Sequence, residues 1–127
     1  MLKRVDCVFG ALLVLASLGH TFGTLKLLPA WSGMWVWSLG AALAGLLLGA
    51  LNIVRASRSS DTTIAVLTTV GTVCWILVVL AFGRTIGNLF DPRVVGHVAI
   101  SSVLVIFGVL TLARAAGSAA EAVVARS

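Results

Sequence analysis

The chain has 127 residues, of which 60% are hydrophobic and only 10% charged, and its mean hydropathy is +1.14. A soluble domain carries about 25% charged residues, so water is excluded as the solvent of most of this surface and an integral membrane protein is expected. The net charge of +5 comes from nine basic residues scattered between apolar runs; they form no patch or stripe, which excludes nucleic acid as a partner.

The first predicted element runs from about Val5 to Gly23. Lys3 and Arg4 before an apolar run are reminiscent of a secretory leader. The run is long, however, contains Asp6 and has no small-residue cleavage site before His20, so a retained span is expected. Asp6, Gly10, Ser17, His20 and Thr24 recur at helical spacings along one stripe, the face that turns inward in a bundle. Asp6 is expected to pair with Lys3, Arg4 or a neighbouring helix end.

The connection "TLKLLPAWSGM" holds Lys26, Pro29 and Gly33 among apolar residues and is expected to skim the interface. The second span covers Met34 to Val54. Ala41, Gly45 and Gly49 recur every four residues, with Ser38 and Asn52 near the same face. Small residues at that spacing let helices approach closely, and an amide such as Asn52 bonds across them. The same Gly45-x-x-x-Gly49 pattern also suits contact with a second copy of the chain.

A polar turn, "RASRSSD", ends in Asp61, an N-cap for the third span, Thr62 to Phe82. Thr69, Thr72 and Gly83 define no clear stripe there, and Trp75 reads as packing bulk. The fourth span is apolar from Val94 and covers 92–113. It is announced by Asp91-Pro92, an N-cap followed by proline at the first helical position. Arg93, His97 and Ser101 follow at intervals of four, with Gly108 further along. Residues 114–127 read as a short helical or frayed tail.

Each run is close to the roughly 20 residues that cross a hydrocarbon core about 30 Å thick, and only helix satisfies the backbone there. The expected fold is therefore all-α: a single-domain bundle of four transmembrane helices, solvated by the lipid bilayer, alone or as a homo-oligomer or with a partner membrane subunit. Cys7 and Cys74 form no CxxC pair and read as apolar packers. Lys3, Arg4, Arg55, Arg58, Arg114 and Arg126 fall on one side, against Lys26, Arg84 and Arg93 on the other. That bias places both termini in the cytoplasm of a bacterial-type inner membrane. Trp31, Trp35 and Trp37 then form an aromatic belt at the outer face.

Chemistry concentrates in one layer. His20 near the end of the first span and His97 near the start of the fourth share a depth of roughly 5–8 Å from the outer edge. Arg84, Asn88, Asp91 and Arg93 occupy the loop above. Imidazoles inside a membrane are paired, ligated or hydrated. Three functions follow. One is a site for a small ligand or partner built from His20, His97, Arg84, Asp91, Arg93 and Ser101. A second is a haem b held axially by His20 and His97, with Arg84 and Arg93 meeting its propionates. The third is a proton relay in a small transporter, with Asp91 orienting a histidine. The alternative is structural: His20 bonding Ser17, Thr24 or a carbonyl, and His97 bonding Ser101. Two histidines, even with Asp91, fall short of four metal ligands, so no metal site is assigned, and no catalytic residue either.

Length and span count are similar to those of small multidrug transporters and of vitamin K epoxide reductase-like proteins. The membrane-embedded glutamate of the former and the redox CxxC of the latter are absent from this sequence, and span count alone does not license function.

Overall fold

A computed structural model describes residues 2–124. It consists of four helices: α1 (Leu2–Leu27), α2 (Gly33–Ser57), α3 (Thr62–Thr85) and α4 (Pro92–Val124). There is no strand among the described residues. All four are long and apolar enough to cross a membrane. At 1.5 Å per residue, 24 to 26 residues reach about 36–39 Å, longer than a hydrocarbon core of about 30 Å.

The helices run longer than the apolar runs suggest. α1 continues beyond Gly23 to Leu27, because nothing between them breaks the hydrogen-bond ladder and the lysine in its last turn complements the helix dipole. α4 continues beyond Ala113 to Val124, as an alanine-rich segment should. The last residues of the expected tail, 125–127, lie outside the described region.

Local chemistry fixes the ends. Ser32 caps α2 by accepting from the Trp35 amide at 3.2 Å, and Asp61 caps α3 by accepting from the Ile64 amide at 3.1 Å. α3 stops at a Schellman turn: Gly87 has φ +69°, its amide reaches Arg84 O, and the Asn88 amide reaches Gly83 O at 2.9 Å. In the α1–α2 turn Trp31 takes a left-handed φ of 65° and packs on Trp35 with ring centroids 5.3 Å apart.

α1 packs chiefly on α2, and α3 on α4; α1 also contacts α4, and α2 contacts α3. The result is an up-down-up-down ring in which the first and last helices are neighbours. Inward positions advance by threes and fours: Asp6, Gly10, Leu13, Ser17 and Thr24 on α1; Ala42, Gly45, Gly49 and Asn52 on α2. On α3 they are Ala65, Thr68, Thr69, Thr72, Trp75, Val79 and Gly83, a face that Thr69, Thr72 and Gly83 alone leave undefined. This spacing is the seam of helices crossing at about +20°.

Gly49 and Gly10 let α1 and α2 touch backbone to backbone: a Cβ on Gly49 would lie 2.9 Å from Val14 N and 3.0 Å from Gly10 O. A Cβ on Gly45 would lie 2.5 Å from Ser17 Oγ and 3.0 Å from Trp75. Both glycines are thus used inside the bundle, and Ala41 flanks the same core, formed by Leu13, Trp75, Val79, Val94 and Leu104. Leucine and valine dominate the outward surface, as a lipid solvent requires.

Two details depart from the sequence reading. Arg55 does not belong to the polar turn; it lies in the last turn of α2 with no exposed surface. On α4 the buried line starts one residue later than Arg93, with Val94, Ser101, Leu104 and Gly108. A valine fills the interior at that level, and the long arginine side chain stays at the edge.

Candidate functional site: a polar interior

His20 is half-buried on α1 and bonded across to α2: its Nε2 lies 3.0 Å from Ser38 Oγ. Ser38 Oγ in turn lies 2.6 Å from Thr24 Oγ1, and Thr24 donates its hydroxyl proton to His20 O at 2.9 Å. Thr24 has one proton, so Ser38 must donate to Thr24, and His20 Nε2 must then donate to Ser38. Nε2 of His20 therefore carries a proton. Neither Ser17, which donates to Leu13 O at 2.9 Å, nor Thr24 takes the imidazole directly.

His97 has no such partner. Its ring packs edge-on against Trp75 of α3 at 5.7 Å between centroids. Its Nδ1 is buried without a hydrogen bond, and so are Ser101 Oγ one turn along α4 and Trp75 Nε1. The expected His97–Ser101 bond is not made. Three unsatisfied polar atoms thus face the bundle interior on α3 and α4, each incurring the cost of lost hydration. His20 on α1 and His97 on α4 stand on helices that contact each other. At 1.5 Å per residue, His97 lies about 7 Å inside the start of α4, and His20 about 10 Å inside the end of α1, deeper than the apolar run implies.

The loop residues are arranged differently from the expectation. Asp91 is held by Arg93: Nε to Oδ1 at 2.8 Å, Nη2 to Oδ2 at 2.8 Å and the Arg93 amide to Oδ1 at 2.9 Å. These bonds hold the Asp91 carboxyl down at about 2, below its ordinary 3.8. Both carboxylate oxygens are committed to Arg93, so Asp91 orients no histidine. Arg93 also lies over Phe82, 5.5 Å from its centroid. Arg84 is exposed and lines a shallow surface recess with Gly83, Gly87, Asn88, Leu89 and Phe90. That recess includes neither histidine.

The His20 nitrogen that points across the bundle already bonds Ser38, the His97 ring lies against Trp75, and Gly19, Gly23 and Gly96 border open surface rather than an internal slot. Among the described residues no three His, Cys, Asp or Glu side chains converge as a metal would require. Cys7 and Cys74 are free thiols.

A second polar centre lies toward the opposite end. Arg55 Nη2 donates to Asp6 Oδ1 at 2.5 Å, and Nη1 to Leu104 O at 3.0 Å, tying α2 to α1 and α4. A Cβ on Gly108 would lie 2.7 Å from Arg55 Nη1 and would collide with Thr69 Oγ1. One turn further in, Asn52 Nδ2 donates to Thr72 Oγ1 at 3.2 Å and to Leu48 O at 2.9 Å, joining α2 to α3. Sequence reading assigned Asp6 a structural pairing and Arg55 a loop charge. The signal that joins them was their shared end of the bundle together with the placement of Arg55 on the Asn52 face, three residues on.

No protein-family model, no curated protein and no solved structure matches this chain.

Proposed function

We propose that the protein is a small multi-pass membrane protein whose four-helix interior binds a compact, uncharged, oxygen-bearing ligand in the His20–His97 layer. The supporting observation is the group of three buried, unpartnered polar atoms: Trp75 Nε1, Ser101 Oγ and His97 Nδ1. An indole N–H only donates, whereas a hydroxyl and a neutral imidazole can each donate or accept. The complement is a molecule with at least one acceptor oxygen. Val79, Val94 and Leu104 around the layer favour a neutral one, since an unpaired charge there is costly. Ser38 and Thr24 hold His20 and so define the opposite wall.

The test is native mass spectrometry of the protein extracted directly into lipid nanodiscs, comparing the natural chain with Ser101→Ala and His97→Phe. A bound species other than bilayer lipid, present on the natural chain and lost from both variants, supports the reading. Natural chain and variants carrying lipid alone refute it.

We also infer a plasma-membrane setting with both termini cytoplasmic. With Arg55 buried against Asp6, Lys3, Arg4, Arg58 and Arg114 remain on the terminal side among the described residues, against Lys26, Arg84 and Arg93. The positive-inside bias persists. A C-terminal alkaline phosphatase fusion is expected to be inactive in cells and a C-terminal green fluorescent protein fusion bright; the reverse pattern inverts the topology.

A further inference from the structure

The second polar centre has its own unsatisfied atoms. Arg55 Nε and Asn52 Oδ1 are both buried without a hydrogen bond, on residues that have no exposed surface. They lie three residues apart on the inward face of α2, a spacing at which Cβ atoms are about 5–6 Å apart. One atom donates and the other accepts. An anion would satisfy the guanidinium N–H but face the lone pairs of the amide oxygen. A cation would do the opposite. A hydroxylic molecule satisfies both, accepting from Nε and donating to Oδ1.

The space selects the smallest such molecule. Gly108 already gives up its side-chain volume to Arg55 and Thr69, Leu104 closes the α4 side with no exposure, and Thr72 is engaged with Asn52. We propose that Arg55 Nε and Asn52 Oδ1 bind a water molecule between them, and that this water enables the buried Asp6–Arg55 pair to take up and release a proton at Asp6.

Water matters because protonating Asp6 removes the counter-charge of Arg55. Removing one partner of a buried pair leaves the other ion uncompensated, which is strongly unfavourable in a dry interior. A bound water already on Nε supplies a hydrogen bond that survives this loss, alongside the one to Leu104 O. The proton balance is simple. A proton from bulk water forms an O–H bond on the Asp6 carboxylate and leaves by the same route, while Arg55 keeps its own proton throughout. Access is through Asp6, whose side chain is 7% exposed against 0% for Arg55, about 6 Å from the start of α1. Arg55 is the charged group paired with Asp6 from the packed helices; α4 meets Arg55 with Leu104 O and Gly108, and α3 reaches the same end with Thr69.

Infrared titration of the protein in nanodiscs reads this directly, because the chain has only four acidic residues. A protonated-carboxyl C=O band that vanishes in Asp6→Asn identifies Asp6. In Asn52→Leu, which removes the acceptor that fixes the water, the proton affinity of Asp6 is expected to fall roughly tenfold, the effect of one hydrogen bond to a charged group. Thr72→Val, which removes the Asn52–Thr72 bond and the Thr72 hydroxyl's bond to Thr68 O but leaves Asn52 Oδ1 in place, is expected to leave it unchanged. An unchanged Asp6 titration in Asn52→Leu overturns the proposal, as does the absence of an Asp6 band at every pH at which the helices persist. X-ray-generated hydroxyl-radical labelling of the natural chain needs no variant: modification of the unexposed Leu104 supports a water beside it, and its absence argues decisively against one. These readings are independent of ligand binding at His97 and Ser101.

Discussion

Arg55 of α2 and Asp6 of α1 form an ion pair at 2.5 Å within the bundle, the arginine wholly buried. The same guanidinium reaches Leu104 O of α4. Three of the four helices are thereby joined by one side chain, at the end where α1 begins and α2 ends. Breaking such a pair from one side exposes the survivor to a medium that cannot solvate it.

Asp6→Leu and Arg55→Met are each expected to destabilise the bundle by about 3–5 kcal/mol, whereas the double variant should recover much of that loss because no charge is then stranded. Reversible unfolding in mixed micelles, arranged as a double-mutant cycle, measures the coupling. Single variants within about 0.5 kcal/mol of the natural chain would mean that the pair is solvated and unimportant.

Gly108 provides a local test of packing. Gly108→Ala drives a methyl into Thr69 and Arg55, while Gly96→Ala and Gly117→Ala meet open space. The first is expected to cost about 1–3 kcal/mol by overpacking and the other two to raise the thermal midpoint slightly, since alanine favours helix. Equal midpoints for all three would contradict the placement of α4 against α2 and α3.

The Asp91–Arg93 pair sets an acid limit at the α4 start. Its carboxyl sits at about 2 in the folded chain against an ordinary 3.8, so protons bind the unfolded state more readily. The pair's contribution is complete above the ordinary value and is lost as pH falls through about 2. In Arg93→Gln the carboxyl titration, followed by NMR of labelled aspartate, is expected to move up toward the ordinary value. A carboxyl that stays near its natural position would show that the α4 amides, rather than the guanidinium, hold it.

His20 and His97 should respond differently to substitution. His20→Ala removes the donor at the end of the Ser38–Thr24 chain and leaves the half-buried Ser38 Oγ without it, so a loss of about 1–3 kcal/mol in stability is expected. His97→Phe keeps the contact with Trp75 and removes an unsatisfied nitrogen, so stability should hold or rise while the bound ligand is lost. A large stability loss in His97→Phe would assign that ring a packing role instead.

Span number, helical state and helix spacing were legible in the sequence. Four apolar runs of near-membrane length admit one backbone solution, and the capping residues Asp61 and Asp91 lie where hydrogen bonding requires them. The inward stripe of α1 was readable because small and polar residues stand out among leucines. The α4 stripe was displaced at its first member, because periodicity alone does not distinguish a buried Val94 from its neighbour Arg93 at the rim.

The partners of polar atoms were not legible, and the physical reason is distance along the chain. Asp6 meets Arg55 and Arg55 meets Leu104 across separations of 49 residues, and His20 meets Ser38 instead of a residue on its own helix. The sequence by itself determined that this chain folds into four helices long and apolar enough to cross a membrane, with polar inner faces, since those follow from hydrogen bonding and hydropathy along each segment. Only the tertiary structure decided which polar groups are satisfied and which are left open, because in a membrane that depends on the rotation and depth of each helix against its neighbours, settled by glycine contacts at Gly10, Gly45, Gly49 and Gly108.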